Sequence, residues 1–285
     1  MTLTLRRGVQ ADAPAAGDIC YRAFKSVAGA HNFIPDFDSA ERTAGLMAVL
    51  IGDEQVFDVV AEANGKIIGS NFLDERDVIS GVGPISVDPD VQNDGAGRAL
   101  MQAVLQRSRE RGFAGIRLVQ AGYHARSLVL YVKLGFEARE HLSCLQGDAI
   151  GKTIPGYAVR AATPGDLAAC NDVCFRVHGF SRSGALTGAI ARGDAQVVER
   201  DGRITGYTTL VAFSGHSVAE TNDDMKALIA AAPSFPGPGF LVPTRNGELM
   251  RWCLAQGWRV TQTLTLMSIG LYSEPNGVWL PSILY

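Results

Sequence analysis

The chain has 285 residues, which is long for one domain and sufficient for two. Apolar residues make up 47% and charged residues 19%, which predicts a large hydrophobic core and argues against global disorder. The formal net charge of −3 gives no electrostatic reason to expect a nucleic acid or an anionic membrane as partner.

The sequence also argues against a membrane span, a secretion signal and a metal or disulfide framework. No apolar run approaches the roughly 18 residues of a membrane span, and the first segment lacks the apolar stretch of a signal peptide. The number of cysteines is odd and they form no CxxC pair, so we expect reduced thiols, no metal site and a cytoplasmic protein. The cysteines are Cys20, Cys144, Cys170, Cys174 and Cys253.

Hydrophobic periodicity and turn residues predict alternating strands and helices along the chain. The first half is expected to contain strand 2–7, helices 12–29 and 39–51, strands 55–63, 66–74 and 78–88, helix 97–111, strand 115–121, helix 125–134 and strand 136–146. The second half is expected to contain strand 156–161, helices 164–178 and 182–192, strands 194–200 and 203–213, helix 222–232, strand 239–243, helix 246–256 and strand 258–270.

The two halves repeat one another in three places. In "GVQADAPAAGDICYRAF" (8–24) and "AATPGDLAACNDVCFRV" (161–177), an Asp lies eight residues before a Cys that is followed by an aromatic residue and Arg. Two further echoes pair 59–69 with 197–206 and 134–138 with 256–260. The echoes predict a duplicated unit of about 150 residues, with generic α/β patterning as the alternative.

A glycine-rich segment, "VDPDVQNDGAGRALM" (87–101), follows a predicted strand and opens a predicted helix. Gly95 and Gly97 would let the first helix amides approach an anion closely, which suggests a phosphate or pyrophosphate site, with a plain tight turn as the alternative. Two other phosphate motifs fail. Gly95 and Gly97 do not complete GxGxxG, and "GDAIGKT" (147–153) is one residue short of a nucleoside-triphosphate loop.

Two motifs together resemble the GNAT N-acetyltransferases. "QNDGAG" (92–97) is similar to the Q/R-x-x-G-x-G/A segment that cradles the pyrophosphate of acetyl-CoA in that family, and "SLVLYVKLGFEA" (127–138) is similar to its A-x-x-L-Y-x-K-x-G-F segment. The resemblance covers residues 1–146. Residues 156–270 resemble a degenerate second copy, and 271–285 form an apolar C-terminal tail. The expected fold is α/β (α+β), with two tandem GNAT-like domains, each a mixed, mostly antiparallel twisted sheet flanked by helices.

The resemblance implies an acetyl-CoA-dependent N-acetyltransferase in which a primary amine attacks the thioester directly, without a metal. The strand before the glycine loop would supply backbone amides to the thioester and pantetheine, here from Ile85, Ser86 and Val87. The diphosphate would be held by the loop, which comprises Gln92, Asn93, Asp94, Gly95, Ala96, Gly97 and Arg98.

Three residues of the second motif carry further expectations by resemblance. Tyr131 matches the tyrosine that protonates the departing thiolate, although core packing is the alternative for any tyrosine on such a helix. His124 stands where the family often has an asparagine that bonds the cofactor, and Ser127 fits beside the pantetheine or phosphates. When Gly257 is aligned with Gly135, the second copy places Asn246, Leu249 and Cys253 at these three positions, so we expect it not to bind coenzyme A in this way.

The sequence leaves the general base and the acceptor open. Glu75, Asp77, His31 and His216 are candidates for the base, and water chains are a further one. The segment "AHNFIPDFDSAE" (29–40) is where the acceptor would be received, and its aromatic and acidic residues are compatible with a cationic amine or with a packed loop. The acceptor would be a small-molecule or peptide amine.

Two alternatives to amine acetylation also remain. One is a non-catalytic acyl-CoA-binding or sensing protein, and the other is acyl transfer to a different acceptor. The tail carries six apolar or aromatic residues, and three placements are open: across the junction of the copies, on another subunit of a homodimer, or near the acceptor through Tyr285.

Overall fold

The computed structural model describes residues 3–92 and 94–284. Within these, unit 1 comprises residues 3–92, 94–137, 267–271 and 284, and unit 2 comprises residues 138–266 and 272–283. The first long segment of unit 1 therefore ends at residue 137, where a strand begins, whereas the sequence analysis predicted that the first domain spans 1–146. In exchange, the end of the last long strand of the second copy belongs to unit 1.

The helices and strands lie close to the predicted ranges. From the N-terminus they are β1 (Leu3–Arg6), α1 (Ala13–Ala30), α2 (Ala40–Gly52), β2 (Val56–Ala63), β3 (Lys66–Asp74), β4 (Ile79–Val82), β5 (Ser86–Val87), α3 (Ala96–Glu110), β6 (Gly115–Ala121), α4 (Ala125–Lys133) and β7 (Glu137–Gln146). The later elements are β8 (Ala158–Ala161), α5 (Leu167–His178), α6 (Ser183–Arg192), β9 (Gln196–Arg200), β10 (Arg203–Thr208), β11 (Ser217–Ala219), α7 (Asn222–Ala231), β12 (Phe240–Pro243), α8 (Gly247–Ala255), β13 (Arg259–Gly270) and β14 (Val278–Leu280).

The sheet of unit 1 runs in the order β1-β2-β3-β4-β6 and then meets the end of β13. Among β1 to β6, the strands pair antiparallel except β4 with β6, which are parallel. Because side chains alternate along a strand, one face packs Val59 and Ala61 with α3 and α4, and the other packs Val56 and Phe72 with α1 and α2. The sheet is thus mixed, mostly antiparallel and covered by helices on both faces, as the sequence predicted.

The strand predicted at 78–88 is two short strands with a break between them. β4 pairs with β6 from Ile79 to Gly81, whereas β5 returns to β3, with Ser86 opposite Ser70. Pro84 lies in the break and has no amide proton for a ladder hydrogen bond. Within the described residues no pairing joins β5 to β6, so the sheet opens between these two strands.

Unit 2 contains a five-stranded antiparallel sheet in the order β14-β11-β10-β9-β8. It also contains β7 between β12 and the first part of β13. The helices α5, α6 and α7 cover the five-stranded sheet, and residues such as Cys174 and Val198 fill the core without solvent exposure. This second unit is also a mostly antiparallel sheet flanked by helices, as the sequence predicted.

Two predictions for unit 2 were wrong in detail. The strand predicted at 203–213 ends at Thr208, because the chain turns tightly there: a Cβ on Gly215 would lie 2.0 Å from the carbonyl oxygen of Leu210. The tail adds the strand β14, which pairs Leu280 with Ser217 and buries Trp279. None of the three placements considered for the tail included this one, and the alternative that involves Tyr285 lies outside the described residues.

Candidate functional site

The predicted site residues of unit 1 lie on three neighbouring elements. Ile85, Ser86 and Val87 lie on or just before β5, the glycine segment leads into α3, and His124, Ser127 and Tyr131 lie at the start of and within α4. Asn93 was also predicted to belong to the site but lies outside the described residues.

The first turn of α3 is open to an anion. Gly95 is the N-cap residue, and its φ of 86° is a left-handed conformation that glycine adopts without strain. No side chain caps this helix, and its first turn contains no acidic residue, so its first amides have no partner from a capping side chain. Asp94 and Arg98 are exposed beside it, and Ala96 is buried beneath it. The positive end of the helix dipole adds to the attraction for a phosphate.

This helix start lies against β5 and α4. A Cβ added at Gly97 would lie 3.6 Å from Val87 Cγ2 and 3.9 Å from Leu130 Cδ2. Gln92 ties the three elements together, because its Nε2 donates to the carbonyl oxygen of Val87 at 3.2 Å and its Oε1 accepts from Arg126 Nη1 at 2.7 Å. The start of the glycine segment is therefore held by polar contacts with β5 and α4.

Backbone amides of β5 are oriented toward the opening in the sheet. The amide of Asp88 donates to the carbonyl oxygen of Ile68 at 2.9 Å, which places it on the β3 side. Because successive amides of a strand point to opposite edges, the amide of Val87 points away from β3. The carbonyl of Val87 points the same way and accepts from Gln92.

The inner wall of the opening is small and uncharged. Ser86 is buried, and its Oγ lies 3.5 Å from Ser70 Oγ. Cys20 of α1 hydrogen-bonds Ser86, and burial raises the pKa of the Cys20 thiol to about 12, so this cysteine is not a thiolate nucleophile at neutral pH.

Three side chains of α4 form a continuous hydrogen-bonded line. His124 Nδ1 and Ser127 Oγ are 2.5 Å apart, and Ser127 hydrogen-bonds Tyr131. Tyr131 is 7% exposed and packs edge-to-face on Phe136, with ring centroids 6.1 Å apart. Burial raises the pKa of Tyr131 to about 12, so its hydroxyl keeps its proton at neutral pH. Burial also lowers the pKa of His124, with smaller contributions from nearby His31 and Arg126.

The connection between α1 and α2 divides into two parts. Phe37 packs on Phe24 in the core and Asp38 pairs with Arg42 at the exposed surface, so these two residues are structural. Phe33 instead stacks on Tyr123 with ring centroids 4.1 Å apart, directly beside His124 in sequence.

Asp36 belongs with the second part of this connection. Burial raises the pKa of Tyr123 and of Cys20, and the negative charge of Asp36 adds to both shifts. Phe33, Asp36 and Tyr123 are each half-buried.

The candidates for the general base differ in their surroundings. Glu75 is 2.6 Å from Arg107 and 3.6 Å from Arg111, so two arginines already neutralise its carboxylate. His216 lies in unit 2, where its Nε2 is 3.1 Å from the Tyr207 hydroxyl. His31 Nδ1 is 2.8 Å from the carbonyl of Val27, and its ring lies 6.5 Å from that of His124. Asp77 has partners of its own and follows β3.

The second copy has different chemistry at the matching positions. Asn246 caps α8 by accepting from the Leu249 amide at 3.2 Å, and Leu249 and Cys253 are fully buried. Burial raises the pKa of Cys253 to about 12. No residue of this trio can act as a phenolic acid.

Sequence reasoning missed Tyr123 and Arg126. Both lie just before the second motif (127–138), in the loop and first turn that lead into α4. Their position next to that motif was the one indication in the sequence that they could belong to the site. Their contacts with Phe33 and Gln92, however, join segments far apart in the chain.

Across the described residues, no three side chains of His, Cys, Asp or Glu are grouped as metal ligands would be. None of the helices within residues 3–92 and 94–284 combines the length and apolarity that a membrane crossing requires.

Known proteins resemble this chain at the level of family and fold. Residues 53–138 match the acetyltransferase (GNAT) domain. A mycothiol acetyltransferase of Saccharomonospora viridis is 31% identical over 97 residues, which cover 31% of this chain and 32% of that protein, so the match spans about a third of the relative's length.

Two solved structures share the fold over nearly the whole chain. A candidate acetyltransferase from Pyrococcus horikoshii has a TM-score of 0.73 at 16% identity and covers 99% of this chain and 92% of its own. A tandem GNAT protein from the clavulanic acid biosynthesis pathway has a TM-score of 0.56 at 12% identity and covers 94% and 98%. The family match therefore identifies residues 53–138 as an acetyltransferase (GNAT) domain, and the two solved structures show that their fold extends over nearly the whole chain.

Proposed function

We propose that the protein is an acetyl-CoA-dependent N-acetyltransferase that transfers the acetyl group to a primary amine, and that its site lies in unit 1. The observation that carries the proposal is the combination of an uncapped, glycine-led helix start with a buried, protonated tyrosine on the adjacent α4. The first feature suits a diphosphate and the second suits a departing thiolate.

The diphosphate of acetyl-CoA would be held by the glycine segment. The amides from Gly95 onward supply donors without a competing side chain, and Arg98 adds a positive charge in the first turn. Asp94 would turn its carboxylate outward, in keeping with its exposure. Gln92 and Asn93 complete the segment that we assign to the cofactor.

The thioester would lie in the opening between β5 and β6. The amide of Val87 points into this opening, and an amide aimed at a developing oxyanion contributes about 3–4 kcal/mol in other acyl-transfer enzymes. Ile85 and Ser86, which lie just before and on the same strand, would also border the thioester or pantetheine. His124 and Ser127 would border the pantetheine or phosphates, and since Nδ1 of His124 is engaged with Ser127, a ligand would meet the Nε2 side of the ring.

The reaction would proceed by direct attack. The neutral amine attacks the carbonyl carbon and loses one N–H proton to a base or to water, the C–S bond breaks, and Tyr131 donates its proton to the sulfur. No acyl-enzyme is needed, and the nearest buried thiol, Cys20, has a raised pKa that disfavours a thiolate. We also propose a cytoplasmic location, which suits five cysteines that are all buried free thiols.

An acceptor screen with isothermal titration calorimetry tests the proposal. We expect one acetyl-CoA bound per chain, and release of free coenzyme A that depends on both enzyme and amine. The panel is spermidine, glucosamine, L-lysine and a peptide with an N-terminal alanine, and mass spectrometry identifies the acetylated product. Binding without turnover on any amine would favour a sensing protein, and two equivalent binding sites or none would contradict the assigned site.

A further inference from the structure

The line from His124 through Ser127 to Tyr131 connects the two places where protons must move. Positions 124, 127 and 131 are spaced by three and four residues, so their side chains lie on one face of α4 and its first turn. The two contacts along the line are the 2.5 Å separation of His124 Nδ1 from Ser127 Oγ and the hydrogen bond from Ser127 to Tyr131.

The two ends of the line have different surroundings. Tyr131 is almost completely buried against Phe136. His124 is half-buried and lies beside the connection between α1 and α2, where the ring of His31 is 6.5 Å away and Phe33 stacks on Tyr123. The line therefore begins next to the residues that border the acceptor side and ends at a hydroxyl sealed from water.

This burial creates a problem for catalysis that the line can solve. When Tyr131 gives its proton to the thiolate, a phenolate would be left in a site where burial strongly disfavours the charge. Water cannot readily reach a side chain that is 7% exposed, so the replacement proton must come from a neighbouring group. Ser127 is hydrogen-bonded to Tyr131, and His124 is the next proton carrier behind it.

We propose that His124 and Ser127 form a proton relay that passes the proton lost by the amine to Tyr131 and so to the thiolate. This inference rests on the proposed acetyl transfer. One N–H proton of the attacking amine goes to His124 Nε2, directly or through one water, and the Nδ1 proton goes to Ser127. The Ser127 proton goes to Tyr131, and the Tyr131 proton goes to sulfur. One N–H bond is lost, one S–H bond is gained, and no net charge remains on the relay.

The tautomer of the imidazole sets the direction of this relay. With Nδ1 protonated and donating to Ser127, Nε2 carries the lone pair that accepts the next proton. After turnover the ring is protonated at Nε2, and exchange with solvent restores the first tautomer.

The charges around His124 keep it neutral at working pH. Burial disfavours its protonated form most, and the charges of His31 just after α1 and of Arg126 on α4 add to this, whereas the charge of Asp36 acts on Tyr123. The pKa of His124 is lowered below its usual value, so the ring is an acceptor at neutral pH and becomes a non-accepting imidazolium as the pH falls. Activity should therefore decline on the acid side with an apparent pKa below that of an ordinary histidine.

The test uses the full-length protein with whichever amine of the panel gives the highest kcat/KM. His124→Asn keeps a hydrogen-bonding side chain of similar reach but cannot carry a proton, and Ser127→Ala breaks the line. We expect each to lower kcat by about 100-fold or more, the usual contribution of a positioned proton-transfer group, with acetyl-CoA Kd changed less than about 3-fold. The acid limb of the pH profile should disappear in His124→Asn, and Ser127→Thr should recover most of the activity.

A solvent isotope experiment separates a relay from a structural role. In mixtures of H2O and D2O the parent should show a curved dependence of kcat on deuterium content, because several protons move together, and Ser127→Ala should show a weaker, linear one. Ser108→Ala is the matched control, since it removes a buried hydroxyl that pairs with Ser80 at 3.1 Å away from the site. It should leave the pH profile and the isotope dependence unchanged.

The outcomes distinguish failure of the relay from failure of the proposed function. If the parent acetylates an amine and His124→Asn retains its rate and acid limb, the relay is wrong and the acetyltransferase assignment stands. If the parent acetylates nothing, histidine NMR of the unliganded protein still tests the line. His124 should be protonated at Nδ1, and its pKa should shift in Ser127→Ala. An unaltered His124 titration in that variant overturns the hydrogen-bonded line itself.

Discussion

The corresponding helices of the two copies, α3 and α7, begin in opposite ways. In the first copy, α3 begins at a left-handed glycine with no capping side chain. In the second copy, α7 begins with a capping box, in which Asp224 Oδ2 accepts from the Thr221 amide at 3.0 Å and Thr221 Oγ1 accepts from the Asp224 amide at 3.2 Å. A buried carboxylate thus occupies, in the second copy, the helix start that we propose as the diphosphate site in the first copy.

The strands before these helices show the same contrast. β5 pairs with β3 and faces the opening in the sheet, whereas β11 pairs with β10 on one side and with β14 on the other. The C-terminal tail therefore fills, in the second copy, the strand edge at which we propose that the thioester binds in the first copy.

The largest effect should come from removing the tail. Deleting residues 275–285 exposes the edge of β11 and removes Trp279, which is 4% exposed. Loss of a buried aromatic side chain alone costs about 3–5 kcal/mol, so we expect at least that decrease in the free energy of unfolding in urea. Trp279→Phe is the milder variant, which retains a ring and should lose less. An unchanged melting temperature after the deletion would contradict a structural role for β14.

Tyr131→Phe tests the acid that the second copy lacks. We expect kcat for amine acetylation to fall by about 10²–10⁴, while acetyl-CoA Kd stays close to the parent value, because a proton donor acts mainly in the transition state. The pKa of about 12 means that the parent hydroxyl stays protonated throughout an ordinary assay range. Tyr157→Phe removes a hydroxyl in the second copy and serves as the control. Parent-like turnover of the Tyr131→Phe variant would assign the acid elsewhere.

Asp224→Ala tests the internal carboxylate of the second copy. Asp224 is fully buried and also accepts from Thr205 Oγ1 at 2.6 Å, so its removal leaves donors unsatisfied and should cost about 1–3 kcal/mol of unfolding free energy. Asp223→Ala, one residue earlier and exposed, should change stability by less than about 0.5 kcal/mol. The stoichiometry of acetyl-CoA binding should remain one per chain in both, as calorimetry would show.

Gly95→Asp or Gly97→Asp tests the open helix start of the first copy. Each adds a negative charge where the diphosphate is expected, and at Gly95 the left-handed φ adds strain, so Kd for acetyl-CoA should rise at least about 10-fold, or 1.4 kcal/mol. Gly202→Asp is the matched control. Gly202 has a similar left-handed φ of 75° but lies at an exposed turn of the second copy. If the Gly202 variant weakens binding equally, the effect is general destabilisation and not a phosphate contact.

The smallest effect concerns a contact that both copies retain. Arg6 pairs with Asp12 at 2.7 Å and Arg160 pairs with Asp166 at 2.8 Å, and in each copy the arginine lowers the pKa of its aspartate. A carboxyl with a lowered pKa in the folded state stabilises it above the unfolded pKa, and that stability is lost as the pH falls through the folded value. Because the arginines are partly exposed, Asp12→Asn and Asp166→Asn should each cost about 0.2–1 kcal/mol at pH 7 and less at pH 3. Equal costs at both pH values in urea unfolding would contradict this account.

A second retained contact explains why the repeat could be read from the sequence. Arg22 of α1 holds Asp88 just after β5 at 2.9 Å, and Arg176 of α5 holds Glu220 just after β11 at the same distance. Both arginines belong to the echoed segments of the first helices. These ion pairs fix the first helix of each copy to the segment just after the strand that precedes α3 or α7.

Local chemistry by itself determined most elements and the position of the glycine segment. The rule that places glycine at a left-handed position before a helix acts within a few residues, and so does the spacing of three and four that aligns His124, Ser127 and Tyr131. The helix and strand ranges of both copies could also be predicted, because hydrophobic periodicity reflects the face that each element buries.

Tertiary structure alone decided the contacts between distant segments. Three features depend on residues that are far apart in the chain, and no periodic pattern in the sequence predicts them. They are the opening between β5 and β6, the pairing of β14 with β11 and the stacking of Phe33 on Tyr123. The capping box at Thr221 was readable as a local pattern, but its meaning depends on the buried environment that Thr205 supplies. Strand partners and burial are set by the packing of the whole unit, and that is why the chemistry of each helix start could be assigned only after the fold was known.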